Sequence, residues 1–392
     1  MSELIANWNF PTQIVAGASR IGELAIHCRE RSLSKPLIVT DSGLAALQMF
    51  EELCCVLKEA DLDYEVFSNI QANPNQGCVS RGVEAYRSGK HDSVIAVGGG
   101  SALDAGKAIA LMVGQELPIW DFEDVGDNYL RVNEQGMAPV IAVPTTAGTG
   151  SEVGRASVIT DSKKRVKKII FHPKMLPELV ILDPVLTLGL PPHITAATGI
   201  DALSHCLEAL CSPFYHPMAE GIAIEGIRLI KEFLPRAYVE GQDIEARMQM
   251  LVASSMGATA FQKGLGAMHA IAHSLGAVYG THHGLLNAVL MPYVLIANKS
   301  EVEGKLTRLA RYLDLPDASY QGFVQWVLTL RQELAIPNTL KDLNIPSDDL
   351  NNIAQMSIQD PSAGGNPIPF SLAEYQSLIG RAYAGDLGEF NA

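Results

Sequence analysis

Through its first half the chain alternates short, almost wholly apolar runs with stretches whose apolar residues recur every three or four positions. The apolar runs predict strands at 35–41 (KPLIVTD), 92–101 (DSVIAVGGGS) and from 138, in APVIAVPTTAGTGSE, and the more polar DYEVFS (63–68) predicts another. A strand covered on both faces carries no polar alternation, so continuous apolar runs of this length suit a buried parallel sheet. The segments between them predict helices through about 60, near 79–88 and over 102–113. Such alternation predicts a Rossmann-like α/β domain, with ligands at the carboxyl ends of the strands. After LVILDPVLTLGLPP, strand-type runs nearly vanish, and helical patterns cover 195–211, 218–236, 243–262, 267–277, 285–298, 301–313, 317–334 and 371–384. Pro191-Pro192 marks the change, which predicts an α/β domain over 1–190 and an all-helical domain over 191–392.

Composition agrees with two packed domains. A chain of 392 residues is too long for one core, and 47% hydrophobic with 18% charged residues describes a globular protein rather than a disordered one. The net charge of −14 argues against nucleic acid or an anionic membrane as partner. No apolar run reaches the length of a membrane span, and MSELIANWNFPTQ lacks the basic start and apolar core of a secretory signal. The cysteines at 28, 54, 55, 78, 206 and 211 are scattered without a C-x-x-C pair, which fits reduced thiols in a cytoplasm.

Two segments of the second half are nearly free of charged residues, so their histidines stand out. The stretch GLGAMHAIAHSLGAVYGTHHGLLN (264–287) carries His269, His273, His282 and His283 among small and apolar residues. His269 and His273 leave one helix face a turn apart, and the break at Tyr279-Gly280-Thr281 lets the chain return His283 to that face. Upstream, TGIDALSHCLEAL repeats the spacing with Asp201 and His205. One carboxylate and three imidazoles from two helices and a turn suit a divalent metal. A single histidine on an apolar helix is more often a core residue bonded to a backbone carbonyl. Two such pairs, with a buried Asp201 that needs a cation or a network, reverse that balance.

A second constellation lies in the first half. GGGSALDAGKA (98–108) follows a strand and opens a helix, where backbone amides and the helix N-terminus receive phosphate. The third glycine of the dinucleotide fingerprint is replaced by Leu103, and a tight turn needs glycine in any case. PTTAGTGSE (144–152) can reach the same nucleotide or form an ordinary turn capped by Ser151. Asp41, ending LIVTD, can accept from a ribose 2′-hydroxyl and repel a 2′-phosphate, or cap a turn with Ser42 and Gly43. KKRVKK (163–168) reads as a solvated face from which one lysine can meet a cofactor.

Taken together, GGGSALDAGKA, PTTAGTGSE, ILDPVLTLGLPP, TGIDALSHCLEA and GAMHAIAHSLGAVYGTHHGLLNA closely resemble the iron-containing, or group III, alcohol dehydrogenases over nearly the whole chain. The resemblance implies a dehydroquinate synthase-like architecture. It implies metal ligands at Asp201, His205, His269 and His283, with His273 as a proton relay. It puts the pyrophosphate loop on Gly98, Gly99, Gly100 and Ser101, followed by Asp104, and nucleotide contacts on Thr145, Thr146, Thr149 and Ser151. Asp41 matches the adenosine-ribose carboxylate, Lys167 the cofactor-side lysine, and Asn73 a position near the cofactor. His282 stands where many relatives have proline and is assigned no role. The implied activity is hydride transfer between NAD(H) and a small primary alcohol, diol or aldehyde. The implied metal is Fe(II), although a mixed nitrogen and oxygen site also suits Zn, Co or Ni. A homodimer or higher homo-oligomer is implied as well. The alternatives are a glycerol dehydrogenase-like or maleylacetate reductase-like enzyme of the same superfamily, or a non-catalytic protein that binds metal or nucleotide.

Overall fold

The computed structural model describes residues 12–164 and 166–390, which divide into two compact units with the boundary between Gly189 and Leu190. The N-terminal unit holds a six-stranded sheet in the order β1-β8-β5-β4-β2-β3, every pair parallel. Its strands are β1 (Gln13–Ala16), β2 (Pro36–Asp41), β3 (Glu65–Ile70), β4 (Ser93–Gly98), β5 (Val140–Pro144) and β8 (Leu179–Leu182). Strands β4, β5 and β8 are buried at every position, and β2 at all but its last. The apolar runs of the sequence therefore correspond to strands covered on both faces.

Register explains which residues face which layer. Ile38, Ile95, Ile141 and Leu179 align across β2, β4, β5 and β8. All four are fully buried and join Leu24 of α1 (Leu24–Glu30) and Leu53 and Leu57 of α3 (Gln48–Glu59) in one cluster. Each such side chain contributes about 1.5–3 kcal/mol on burial. On β4 the alternate residues Val94 and Ala96 face α5 (Gly100–Met112), where a Cβ on Gly106 would stand 2.6 Å from that of Ala96. Glycine at 106 thus permits the close approach of helix to strand. The one-turn α2 (Ser42–Ala45) and α4 (Gln76–Gly89) complete the α-helices of this unit among the described residues. From β2 the chain runs outward to β3 and then returns to β4 on the other side of β2, so the switch point lies between the carboxyl ends of β2 and β4.

The antiparallel hairpin of β6 (Ala156–Asp161) and β7 (Val166–Phe171) was not foreseen. The basic run obscured it, because alternation in β6 gives way to charge at the turn. Lys163 and Lys164 are exposed there, as expected of a solvated face, but Lys168 pairs with Glu123 at 2.5 Å and lies over Trp120.

The C-terminal unit is helical: α6 (Pro192–Cys211), α7 (Pro217–Val239), α8 (Ile244–Ala260), α9 (Ala267–Tyr279), α10 (His283–Ala297), α11 (Lys299–Tyr312), α12 (Tyr320–Glu333), α13 (Leu350–Gln359) and α14 (Leu372–Ala384). Of these, α13 went unread, being short and polar at its start. Helix α6 starts at Pro192, where the missing N–H costs nothing. From Thr195 onward α6 is buried all round, packed against α7, α8 and α10. Among the described residues no helix is long and apolar enough to cross a membrane.

Candidate functional site

From Thr195 onward, the acidic and imidazole side chains of helix α6 form one buried stripe. Asp201, His205 and Glu208 recur at four and then three residues, which stacks them on one face, and they are only 2%, 4% and 6% exposed. Helices α9 and α10 bring further groups to the stripe. Gly280 ends α9 in the left-handed conformation at φ 68°, and α10 begins three residues later at His283. A Cβ on Gly284 would lie 2.3 Å from the Ala197 carbonyl of α6, so glycine is what lets α10 start against that helix. Gly257 does the same for α8, where a Cβ would meet the Ala202 carbonyl and the His205 Cβ, each at 3.1 Å.

The outcome is a cage. One potential ligand atom from each of Asp201, His205, His269 and His283 lies within 4.8 Å of the others. His205 stacks on His269 with ring centroids 4.8 Å apart, and Phe261 meets the edge of His205 at 5.1 Å. His282 is not part of it: exposed at the start of α10, its Nδ1 accepts from the Leu285 N–H as an N-cap. Cys206 beside His205 is buried packing, and burial pushes its thiol up to about 12.

Glu208 was missed from sequence, although its place on the stripe was the available signal. Its carboxylate accepts from the Gly266 and Met268 N–H groups, both at 2.8 Å, and from His269 Nδ1 at 2.6 Å. The carboxylate therefore keeps the ring proton on Nδ1 as a hydrogen-bond donor, which leaves the Nε2 lone pair of His269 directed at the cage. Burial opposes a charge on this ring most strongly, but Glu208 together with the Asp201 and Asp360 carboxylates outweighs it and holds the pKa above the ordinary value. Asn287 was missed too. Its amide nitrogen lies 2.8 Å from Asp201 Oδ1, 3.3 Å from His269 Nε2 and 3.2 Å from His283 Nε2. Three electron-pair acceptors thus share a donor with two protons, the surplus of acceptors expected of a cation site. The donor set fits a divalent metal.

His273 stacks on His283 at 5.2 Å and meets the edge of His269 at 5.8 Å, adjoining the cage without entering it. Its Nδ1 bonds Asp360 Oδ2 at 3.1 Å, a partner that sequence reading did not find. Burial by itself would raise the Asp360 carboxyl, yet His273 and the Ser362 N–H hold it below its ordinary range.

In the N-terminal unit the predicted cofactor residues gather at the switch point. Gly98 takes φ 143°, a conformation that favours glycine, at the end of β4. The Thr145 N–H donates to the Gly98 carbonyl at 3.0 Å. A Cβ on Gly99 would lie 3.2 Å from Thr146 Oγ1, and one on Gly100 would lie 2.6 Å from Thr149 Cγ2. The two loops are therefore in contact. Asp41 caps α2 through Oδ1, and its Oδ2 would lie 3.9 Å from a Cβ on Gly98. The Asn73 N–H donates to Ser101 Oγ at 3.3 Å, and Lys167 pairs across the hairpin with Thr160, whose hydroxyl donates to the Asn73 carbonyl.

Two predicted contacts turn inward instead. Ser151 Oγ donates to Asp104 Oδ1 at 2.5 Å, and Asp104 Oδ2 accepts from the Val158 N–H at 3.0 Å, so both side chains brace the loop rather than face outward. Lys107, fully buried, completes the brace through the Ser151, Gly154 and Ala156 carbonyls. Its burial pushes the ammonium pKa down, against the pull of Asp104.

Comparison with known proteins matches residues 11–184 to the family described as iron-containing alcohol dehydrogenase, and 195–383 to its C-terminal domain. Alcohol dehydrogenase 4 of Saccharomyces cerevisiae is 34% identical over 370 residues, covering 94% of this chain and 96% of its own. The crystal structure of a 1,3-propanediol oxidoreductase superposes with a TM-score of 0.92 at 31% identity, over 97% of this chain and 100% of that one. A sulfoacetaldehyde reductase from Bifidobacterium kashiwanohense, solved in complex with NAD+, superposes with a TM-score of 0.88 at 28% identity, again over 97% and 100%.

Proposed function

The chain belongs to the iron-containing alcohol dehydrogenase family, and from that membership we propose how its residues divide the work. It is an NAD- and metal-dependent oxidoreductase that moves a hydride between NAD(H) and a small alcohol or aldehyde. The α/β domain, 1–190, binds the dinucleotide, and the helical domain, 191–392, binds the metal. Asp201, His205, His269 and His283 hold it, with Fe(II) as the native ion. When bound, the metal supplies a Lewis acid that lowers the pKa of the alcohol hydroxyl, and NAD supplies the hydride acceptor.

The protein's own groups orient and move the proton. Asp360 accepts a hydrogen bond from the Nδ1–H of His273, so Nε2 is the atom left basic, and it receives the hydroxyl proton as the carbinol carbon gives up hydride to NAD. Glu208 keeps His269 in the tautomer whose Nε2 faces the ion. On the nucleotide side, the backbone of Gly98, Gly99, Gly100 and Ser101 at the start of α5 receives the pyrophosphate. Thr145, Thr146 and Thr149 line the same loop pair, Asn73 and Lys167 flank it, and Asp104 and Ser151 brace it. The free Oδ2 side of Asp41 takes the ribose hydroxyls, which favours NAD over NADP. A homodimer or larger homo-oligomer in the cytoplasm completes the reading.

The convergence of one carboxylate and three imidazoles around an over-subscribed amide supports this reading most. Metal analysis of the purified protein, with primary alcohols, diols and aldehydes tried against NAD and NADP, tests it. The expected result is about one equivalent of iron per chain and NAD-linked turnover. A metal-free protein that turns over no alcohol on adding Fe(II), Zn(II) or Co(II) would end it.

A further inference from the structure

The cage has an uncharged member whose position is as constrained as that of the four proposed ligands. Asn287 stands one turn after His283 on α10 and is 0% exposed. Its orientation is decided by what its nitrogen meets. Turned the other way, the amide oxygen would face the Asp201 carboxylate and the Nε2 lone pair that Glu208 leaves on His269, which are repulsive contacts. The Oδ1 atom accepts no hydrogen bond from the described residues, so nothing on that side competes.

The three contacts are not equivalent. A carboxylate has two oxygens with about four lone-pair sites, so Asp201 can keep the amide and still offer an oxygen to a metal. An imidazole Nε2 has one lone pair, so His269 and His283 must exchange the amide for the ion. Only the 2.8 Å bond to Asp201 is thus compatible with both states. Without it, Asp201 at 2% exposure would be left with the more distant His283 Nε2, 3.7 Å from Oδ1, and a buried carboxylate so poorly supplied with donors is costly whenever no ion is bound.

Resting on the four-ligand reading above, we propose that Asn287 is a positioning residue of the metal centre. Its amide fixes the Asp201 carboxylate in the orientation that faces the ion and holds the cage assembled before metal enters. The cage is then preorganised, and its affinity depends on a residue that does not ligate.

The test uses the full-length protein stripped of metal and titrated with Co(II) alone, reading affinity by chelator competition and geometry by the visible Co(II) spectrum. Asn287→Leu keeps the shape and removes the donor. It is expected to lose about 10- to 100-fold in Co(II) affinity, shift the Co(II) bands and lower the melting temperature of the metal-free protein, with NAD affinity unchanged. Asn287→Ser, which keeps a short donor and tolerates truncation, is expected to fall between wild type and Leu. Wild-type affinity and spectrum in Asn287→Leu, or in Asn287→Ser should the leucine variant not fold, would overturn the proposal. Asp201→Ala separates this from the underlying reading. Retained Co(II) binding there sinks the four-ligand assignment, whereas loss there beside intact binding in Asn287→Leu sinks only the role of Asn287.

Discussion

In the helical unit, the groups suited to a cation are side chains held by other buried side chains, Glu208 on His269 and Asn287 on Asp201, and the adjoining His273 is held in the same way by the half-buried Asp360. In the sheet unit, the groups suited to a nucleotide are mostly backbone, exposed by glycines and held by a brace of Asp104, Lys107 and Ser151 that turns away from the loops. A metal demands lone pairs at fixed points, which only side chains of defined tautomer and rotamer supply. A pyrophosphate spreads its charge over several oxygens, which a row of N–H groups can match. The helical site should therefore fail when a functional group is removed, and the sheet site when a Cβ is added.

The largest effect is expected at the cage itself. His269→Ala should abolish both metal content and turnover. His273→Ala, one turn along α9, should retain the metal while slowing turnover by about 10²- to 10⁴-fold. Elemental analysis beside steady-state kinetics separates the two roles, and loss of metal from the second variant would contradict them. Next comes Glu208→Gln, whose NH2 meets an N–H donor whichever way it turns, since both carboxylate oxygens already accept. Metal affinity should fall about 10- to 100-fold without change in NAD binding, as read by parallel titrations.

In the sheet unit, Gly100→Ala forces a Cβ within 2.6 Å of Thr149, and overpacking of this kind costs about 1–3 kcal/mol. NAD affinity should drop about tenfold or more, with metal content intact. Equal weakening of both ligands would erase the contrast between the units. The smallest effect is expected from Asp41→Asn. Asparagine caps helices as well as aspartate does, so α2 and the melting temperature should be kept. The lost charge should narrow the preference for NAD over NADP by about two- to fivefold, as expected of a partly exposed charge. An unchanged ratio would mean that Asp41 serves only its cap.

The strands β2, β4 and β5 and most helices were legible because backbone geometry prints a period on the sequence: continuous apolar runs for buried parallel strands, recurrence at three and four for helices. The same local rule paired Asp201 with His205 and His269 with His273 as neighbours on one face. It left out β1, β8, the β6–β7 hairpin, α1 and α13, which are too short or too charged to print a period. What it could not supply was the pairing across the fold. Glu208 lies 61 residues from His269, Asn287 86 from Asp201, and Asp360 87 from His273. Nor could it show that Asp104 and Ser151 face each other. Periodicity depends on a residue's near neighbours in the chain, whereas the partner of a buried polar group depends on which helices pack together and how closely. That closeness was set by contacts such as Gly284 against Ala197, which exist only once the chain has folded.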